Sequence, residues 1–100
     1  MNTNSASFGS LPPEMREAYL ERRLQDVGVL EKSISEGNNA EFKRIGHQLL
    51  GNAKNYGFES LESLAARMER IENRDLKTQG SDLLAEFKNW IAHEQLHFKK

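Results

Sequence analysis

Along most of this chain apolar residues recur at intervals of three and four, the period of a helix that buries one face. The first stripe, Leu20, Leu24, Val27, Leu30 and Ile34, follows Pro12 and Pro13 and precedes Gly37. Proline is tolerated in a first helical turn, where the missing N–H would have had no partner. Glycine just past the last turn can adopt the left-handed conformation that closes a helix. The pattern predicts one long helix, with Gly28 and the proline end as the two places where it could break. A second stripe, Phe42, Ile45, Leu49, Ala53 and Tyr56, begins after Asn38 and stops at Gly57. Asn38 suits an N-cap, and Glu41 three residues on completes the spacing of a capping box. Ser60 opens a third segment with Leu61, Leu64, Ala65, Met68 and Ile71. The fourth starts near Asp75 and carries Leu76, Leu83, Leu84, Phe87, Trp90 and Ile91. Gly80 is its weak point, since glycine inside a helix costs about 1 kcal/mol relative to alanine. No segment alternates with period two.

Four amphipathic helices joined by short turns bury their stripes best side by side. The expected fold is all-α, an antiparallel four-helix bundle with room for a short extra helix at its N-terminal end. Residues 1–10 are mostly Asn, Ser, Thr and Gly around a lone Phe8 and read as a flexible tail, leaving 11–100 as the bundle domain. An apolar share of 37% and a charged share of 29% are those of an ordinary globular chain, not a disordered one. A formal net charge of -1 gives no global field that would attract nucleic acid. The absence of cysteine removes disulfides, thiolate metal sites and cysteine nucleophiles, and suits a reducing compartment. No apolar run approaches the roughly 20 residues needed to span a bilayer, and the first ten residues lack a signal-peptide pattern. The expected address is the cytoplasm. The expected oligomeric state is a monomer, because four helices close their own core.

Chemistry enters at the face opposite the second stripe. On a wheel of about 100° per residue, His47 lies across the helix from Phe42, Ile45, Leu49 and Ala53. Its neighbours at three, four and seven residues are Lys43, Arg44, Leu50, Gly51 and Lys54. Gly51, without a side chain, clears space beside the imidazole for a bulky group or an approaching backbone. Lys43, Arg44 and Lys54 offer positive charge that would balance a phosphoryl group on the ring, and a neutral imidazole is a nucleophile. A surface histidine among lysines is nonetheless most often just a solvated residue.

The local sequence shifts that balance. The run Gly46-His47-Gln48-Leu49-Leu50-Gly51-Asn52-Ala53-Lys54-Asn55-Tyr56-Gly57-Phe58 resembles the phosphorylation-site helix of the histidine-containing phosphotransfer (HPt) domain family. His47, Leu49, Gly51, Ala53, Tyr56, Gly57 and Phe58 all fall in register with the family pattern, and the flanking helices extend the resemblance from residue 11 to residue 92. It implies a phosphorelay carrier in two-component signalling. The imidazole Nε2 of His47 would accept a phosphoryl group from the aspartyl phosphate of a response-regulator receiver domain, for instance that of a hybrid sensor kinase. A second receiver would then take it. The acidic pocket and its Mg²⁺ belong to the receiver, so no cofactor or metal is expected in this chain. No glycine-rich loop or P-loop for ATP is present, which argues against a kinase.

One position departs from the family. A lysine ordinarily stands three residues after the histidine, and this chain has Leu50 there. Two consequences stay open. Lys54, or Lys43 and Arg44, supplies the charge and Gly51 keeps the path clear; or the phosphoacceptor is impaired and the module only docks a receiver, with an exposed Leu50 in the docking surface.

A rival chemistry sits near the other end. His93-Glu94-Gln95-Leu96-His97 matches the zinc-protease pattern of two histidines one turn apart with a glutamate as base. Short motifs arise by chance, no third ligand stands nearby, and histidines also suit the negative end of a helix. The charged positions Glu14, Arg16, Glu17, Glu21, Arg22 and Arg23 read as a solvated face, and Phe87 with Trp90 as core.

Overall fold

The computed structural model describes residues 12–53 and 58–98, with backbone alone for residues 59, 97 and 98. Four helices follow one another: α1 Pro13–Glu36, α2 Ala40–Asn52, α3 Glu62–Arg70 and α4 Ser81–Phe98. Among the described residues there is no strand, and the helices form the all-α bundle expected from their stripes. No described helix is long and apolar enough to cross a membrane.

α1 runs unbroken from the proline end, and no separate helix precedes it among the described residues. The expected tail, residues 1–10, lies outside them. Gly28 makes no break because it faces outward, where an added Cβ would meet nothing within 4 Å. The C-terminus closes on Gly37, at φ 69° and ψ 30°. Its N–H donates to the Ile34 carbonyl and that of Asn38 to the Ser33 carbonyl, the paired bonds of a Schellman motif. That closure decides what happens next. The reciprocal arm of the expected capping box would need the Asn38 N–H, which is already taken, so Glu41 binds Arg44 instead. The other arm is absent too, since the N-cap is Asn39 and makes no side-chain cap bond; the Asn38 side-chain oxygen instead accepts the Ala40 N–H at 2.8 Å, two residues on. Asn39 ties this turn to the link between α3 and α4: its N–H donates to Asn73 Oδ1 at 2.7 Å and its Nδ2 to the Ile71 carbonyl at 2.9 Å.

The buried side of α1 departs from the expected stripe. Leu20 and Leu30 are buried and Val27 and Ile34 pack on the core rim, but Leu24 is 45% exposed. Tyr19, Arg23 and Ser33 are buried instead. The inward face therefore turns toward Tyr19, and the reason is aromatic. The Tyr19 ring stacks on Phe58 with centroids 5.1 Å apart, and Trp90 meets Phe58 edge-on at the same separation. The guanidinium of Arg16 lies over Phe58 at 4.7 Å and that of Arg23 over Tyr19 at 4.6 Å. Arg16 and Arg23 are thus not part of a solvated face. They cover rings, where cation–π attraction is worth about 0.5–2 kcal/mol each. Phe87 is core as expected, and Trp90 is half-buried with its Nε1–H donating to Ser60 Oγ at 2.9 Å.

α3 is preceded by a 3₁₀ turn over Glu59–Leu61, so the segment expected from Ser60 begins with a tighter turn. The approach to α4 passes through a 3₁₀ turn, Asn73–Asp75, and a π-turn, Leu76–Gly80. Gly80 closes that π-turn in the core. A Cβ there would stand 3.3 Å from Leu76 Cδ2 and 3.6 Å from Ile34 Cγ1, so the glycine lets α1 pack against this turn.

Among the described helices, α2 and α3 pack together most extensively. At Gly46 an added Cβ would lie 2.6 Å from the Glu69 backbone nitrogen and 2.7 Å from the Ala65 carbonyl oxygen. Backbone cannot yield as a side chain can. We expect Gly46→Ala to lower unfolding free energy by about 1–3 kcal/mol despite alanine's better helix propensity. Gly28→Ala, on the open face of α1, should raise it by about 0.5–1 kcal/mol. Urea unfolding of the two variants against wild type checks both signs.

Candidate functional site

His47 stands on the outer face of α2 with its side chain 79% exposed. Its orientation follows from the residue before it. Gly46 lets the α3 backbone come against α2 at Glu69, and the Glu69 side chain then reaches the neighbouring imidazole. His47 Nδ1 and Glu69 Oε2 are 2.8 Å apart. A carboxylate only accepts, so the proton of this bond sits on Nδ1. In the neutral ring that leaves Nε2 with a free lone pair, on the edge away from Glu69. A carboxylate behind one ring nitrogen, with the other nitrogen free, is an arrangement suited to nucleophilic work.

The expected supporting cations are placed unequally. Lys43 is exposed and takes part in no ion pair among the described residues. Arg44 is half-exposed and engaged, its Nε donating to Glu41 Oε1 at 2.6 Å and its Nη1 to Gln48 Oε1 at 3.4 Å. Both residues stand one turn before His47 on the same face of α2. Lys54 lies outside the described residues, as do Tyr56 and Gly57 of the motif.

Leu50 is not the exposed docking residue expected from the wheel. It is partly buried and packs on the rim of the core, because it lies on the flank of α2 that Gly46 draws toward α3. Gly51 fulfils its expectation of open space: it is exposed, and an added Cβ would meet nothing within 4 Å. It lines a groove of about 400 Å³ between α1 and α2, with Met15, Ala18, Tyr19 and Arg22 on one side and Gln48 and Asn52 on the other. Tyr19 spans the groove floor, its hydroxyl donating to Asn52 Oδ1 at 2.9 Å. Farther along α1, Asp26 forms an ion pair with Arg23 at 2.8 Å. Burial nevertheless outweighs the arginine and pushes the Asp26 carboxyl above its usual range.

Two residues of the site escaped sequence reasoning. Glu69 sits 22 positions from His47, and only the interhelical contact joins them. Gly46 carried the available signal, since a small residue on a helix flank marks close packing. At the other end of the chain, His93 is exposed and the side chain of His97 lies outside the described set. Among the described residues no three His, Asp or Glu side chains converge as a metal site would require.

A helical bundle that presents one braced histidine on the outside of its second helix, beside a bare glycine and an open groove, has the form of a phosphotransfer module. The family model for the Hpt domain matches residues 14–96, and the chain belongs to that family. No curated protein and no solved structure matches it. Hpt domains serve histidine phosphotransfer in phosphorelay signalling and interact with receiver domains.

The brace on His47 has a spectroscopic consequence. In the wild type, imidazole ¹⁵N shifts should report the Nδ1–H tautomer as dominant. Glu69→Ala should move the ring toward the Nε2–H form, whereas Glu69→Gln, which keeps a side-chain oxygen to accept the bond, should hold it largely in place.

Proposed function

We propose that this chain carries a phosphoryl group between receiver domains on Nε2 of His47. The observation behind this reading is the Nδ1–Glu69 bond at 2.8 Å on an otherwise exposed ring, which leaves Nε2 as the outward nucleophile. In the step, the Nε2 lone pair forms a bond to the phosphorus of the receiver's aspartyl phosphate. The P–O bond to the aspartyl carboxylate breaks, and that carboxylate leaves with the electron pair. In the neutral Nδ1–H tautomer Nε2 carries no proton, so none has to be removed first. The ring gains positive charge as the N–P bond forms, and the Glu69 carboxylate on Nδ1 offsets it. Return transfer to a second receiver reverses these changes. On this reading the receiver contributes the acidic pocket and its Mg²⁺, and this chain contributes the nucleophile and a surface to dock on.

Gly51 and the groove beside it give the receiver room to approach. The docking-only alternative draws its support from Leu50, which places an apolar, partly buried side chain where a cation would face the phosphoryl group.

Transfer from a panel of phosphorylated receiver domains separates these readings. Acid-labile, alkali-stable label should appear on the wild type and be absent from His47→Gln. Binding to receivers without label on the wild type would instead support the docking module. Gly51→Leu tests the approach path. It should leave helicity unchanged, since nothing lies within 4 Å of the new Cβ. It should also slow transfer from the receiver on the order of 10–100-fold by displacing the reacting groups. Stopped-time labelling assays and circular dichroism measure the two effects.

A further inference from the structure

A phosphoryl group on Nε2 of His47 brings negative charge to a position that its own helix does little to balance. Lys43 and Arg44 stand one turn before His47, and Arg44 is already bound to Glu41 and Gln48. The next residues on the same face are Leu50, packed on the core rim, and Gly51, with no side chain at all. Glu69, on the far edge of the ring, is itself acidic. No described residue beyond His47 on this face of α2 is a cation.

The neighbouring helix offers one. The bond from Tyr19 to Asn52 sets the level at which antiparallel α1 and α2 run past each other. Three residues on from Tyr19 stands Arg22, and three residues back from Asn52 stands Leu49, each step a rise of about 4.5 Å. Arg22 is therefore level with Leu49, two residues or about 3 Å of rise beyond His47. It lines the same groove as Gln48 and Gly51, and it is exposed. Among the described residues it makes no close ion pair or hydrogen bond, though its charge acts on the Asp26 carboxyl. Asp26, one turn along α1, is held by Arg23 at 2.8 Å. Arg23 lines the same groove but is buried over the Tyr19 ring and committed to Asp26. Packed helices run about 8–10 Å apart, a gap that an arginine stem, with an imidazole and phosphoryl group extending toward it, can bridge. The forked guanidinium suits phosphoryl oxygens better than a point charge would.

We propose that Arg22 reaches across the space left open by Gly51 and binds the phosphoryl group carried on His47. The assignment rests on His47 being the phosphoacceptor. It makes Arg22 a phosphoryl-binding residue of the site, supplied by α1 in place of a cation on α2.

The test uses the full chain and potassium phosphoramidate, a small donor that needs no docking surface. The Nε2 lone pair bonds to phosphorus, the P–N bond of phosphoramidate breaks, and its protonated amine leaves as ammonia. His47→Gln identifies the ³¹P signal that belongs to position 47. In wild type, Arg22→Ala and Arg22→Lys, ³¹P NMR then follows the second ionisation of that phosphoryl group. If Arg22 binds it, Arg22→Ala raises the titration midpoint by about half a pH unit or more, and Arg22→Lys restores much of the difference. Labelling by phosphoramidate also slows several-fold in Arg22→Ala. An unchanged midpoint with an unchanged rate overturns the assignment. So does a defect confined to transfer from receiver domains, which would make Arg22 a docking contact only. The wild-type receiver assay judges the parent reading separately: label from phosphoramidate but none from any receiver would remove the relay function and leave the Arg22 result standing on its own.

Discussion

Everything at the candidate site depends on a side chain that is not there. Gly46 allows the backbone of α3 to approach α2 so closely that a single added carbon would stand 2.6 Å from the Glu69 nitrogen. The contact brings together two polar residues from separate helices, with the imidazole of His47 turned outward and the carboxylate of Glu69 beside it. With a larger residue at position 46 the helices would separate, and the 2.8 Å bond that selects the imidazole tautomer would lengthen with them. Packing here sets chemistry directly.

The three sides of α2 then divide the work. The inner side, with Phe42, Ile45 and Leu49, is buried and holds the helix in the bundle. The side toward α3 carries Gly46 and the half-buried Leu50, and positions the ring. The side toward α1 carries Gln48, Gly51 and Asn52 and borders an open groove. Two glycines five residues apart thus have opposite uses. Gly46 is bare because another backbone already occupies its space, and Gly51 is bare where its space is empty. Only the second leaves room for a visitor. The aromatic group of Tyr19, Phe58 and Trp90 steadies the α1 side, since Tyr19 both stacks on Phe58 and bonds to Asn52.

Much of the fold was legible in the spacing of apolar residues, because helix formation and one-sided burial leave a period of three to four in any sequence. The four segments, the Gly37 closure and the outward position of His47 all follow from local rules. What escaped was what one helix does to another. Leu24 fitted the stripe of α1 as well as any leucine, yet the aromatic rings rotate the buried face toward Tyr19 and leave Leu24 half in solvent. Arg16 and Arg23 looked like surface charge, and became covers for rings that come from elsewhere in the chain or from the same turn. Leu50 looked exposed on an isolated wheel and was drawn against the core by the same approach that Gly46 permits. Glu69 could not be paired with His47 from either sequence neighbourhood, since no periodicity links two helices whose relative position depends on one small residue.

The electrostatics of the site follow from the same geometry. Glu69 lies on the Nδ1 edge of the ring and a phosphoryl group would ride on the Nε2 edge, so the two negative groups are separated by the imidazole and roughly 6–7 Å. In water that repulsion is about 1 kcal/mol or less, because the site is exposed and screened. The carboxylate's attraction for the ring that becomes cationic during transfer acts through a direct hydrogen bond and is the stronger effect. If His47 is the phosphoacceptor, as proposed, Glu69 favours loading of the imidazole more than it opposes the charge of the load. It cannot hold the phosphoryl oxygens, and neither can Leu50 or Gly51. The bond to Glu69 on one side of the ring and the open groove on the other thus divide the site: α3 orients the imidazole, and the α1 side is where further charge has room to reach it.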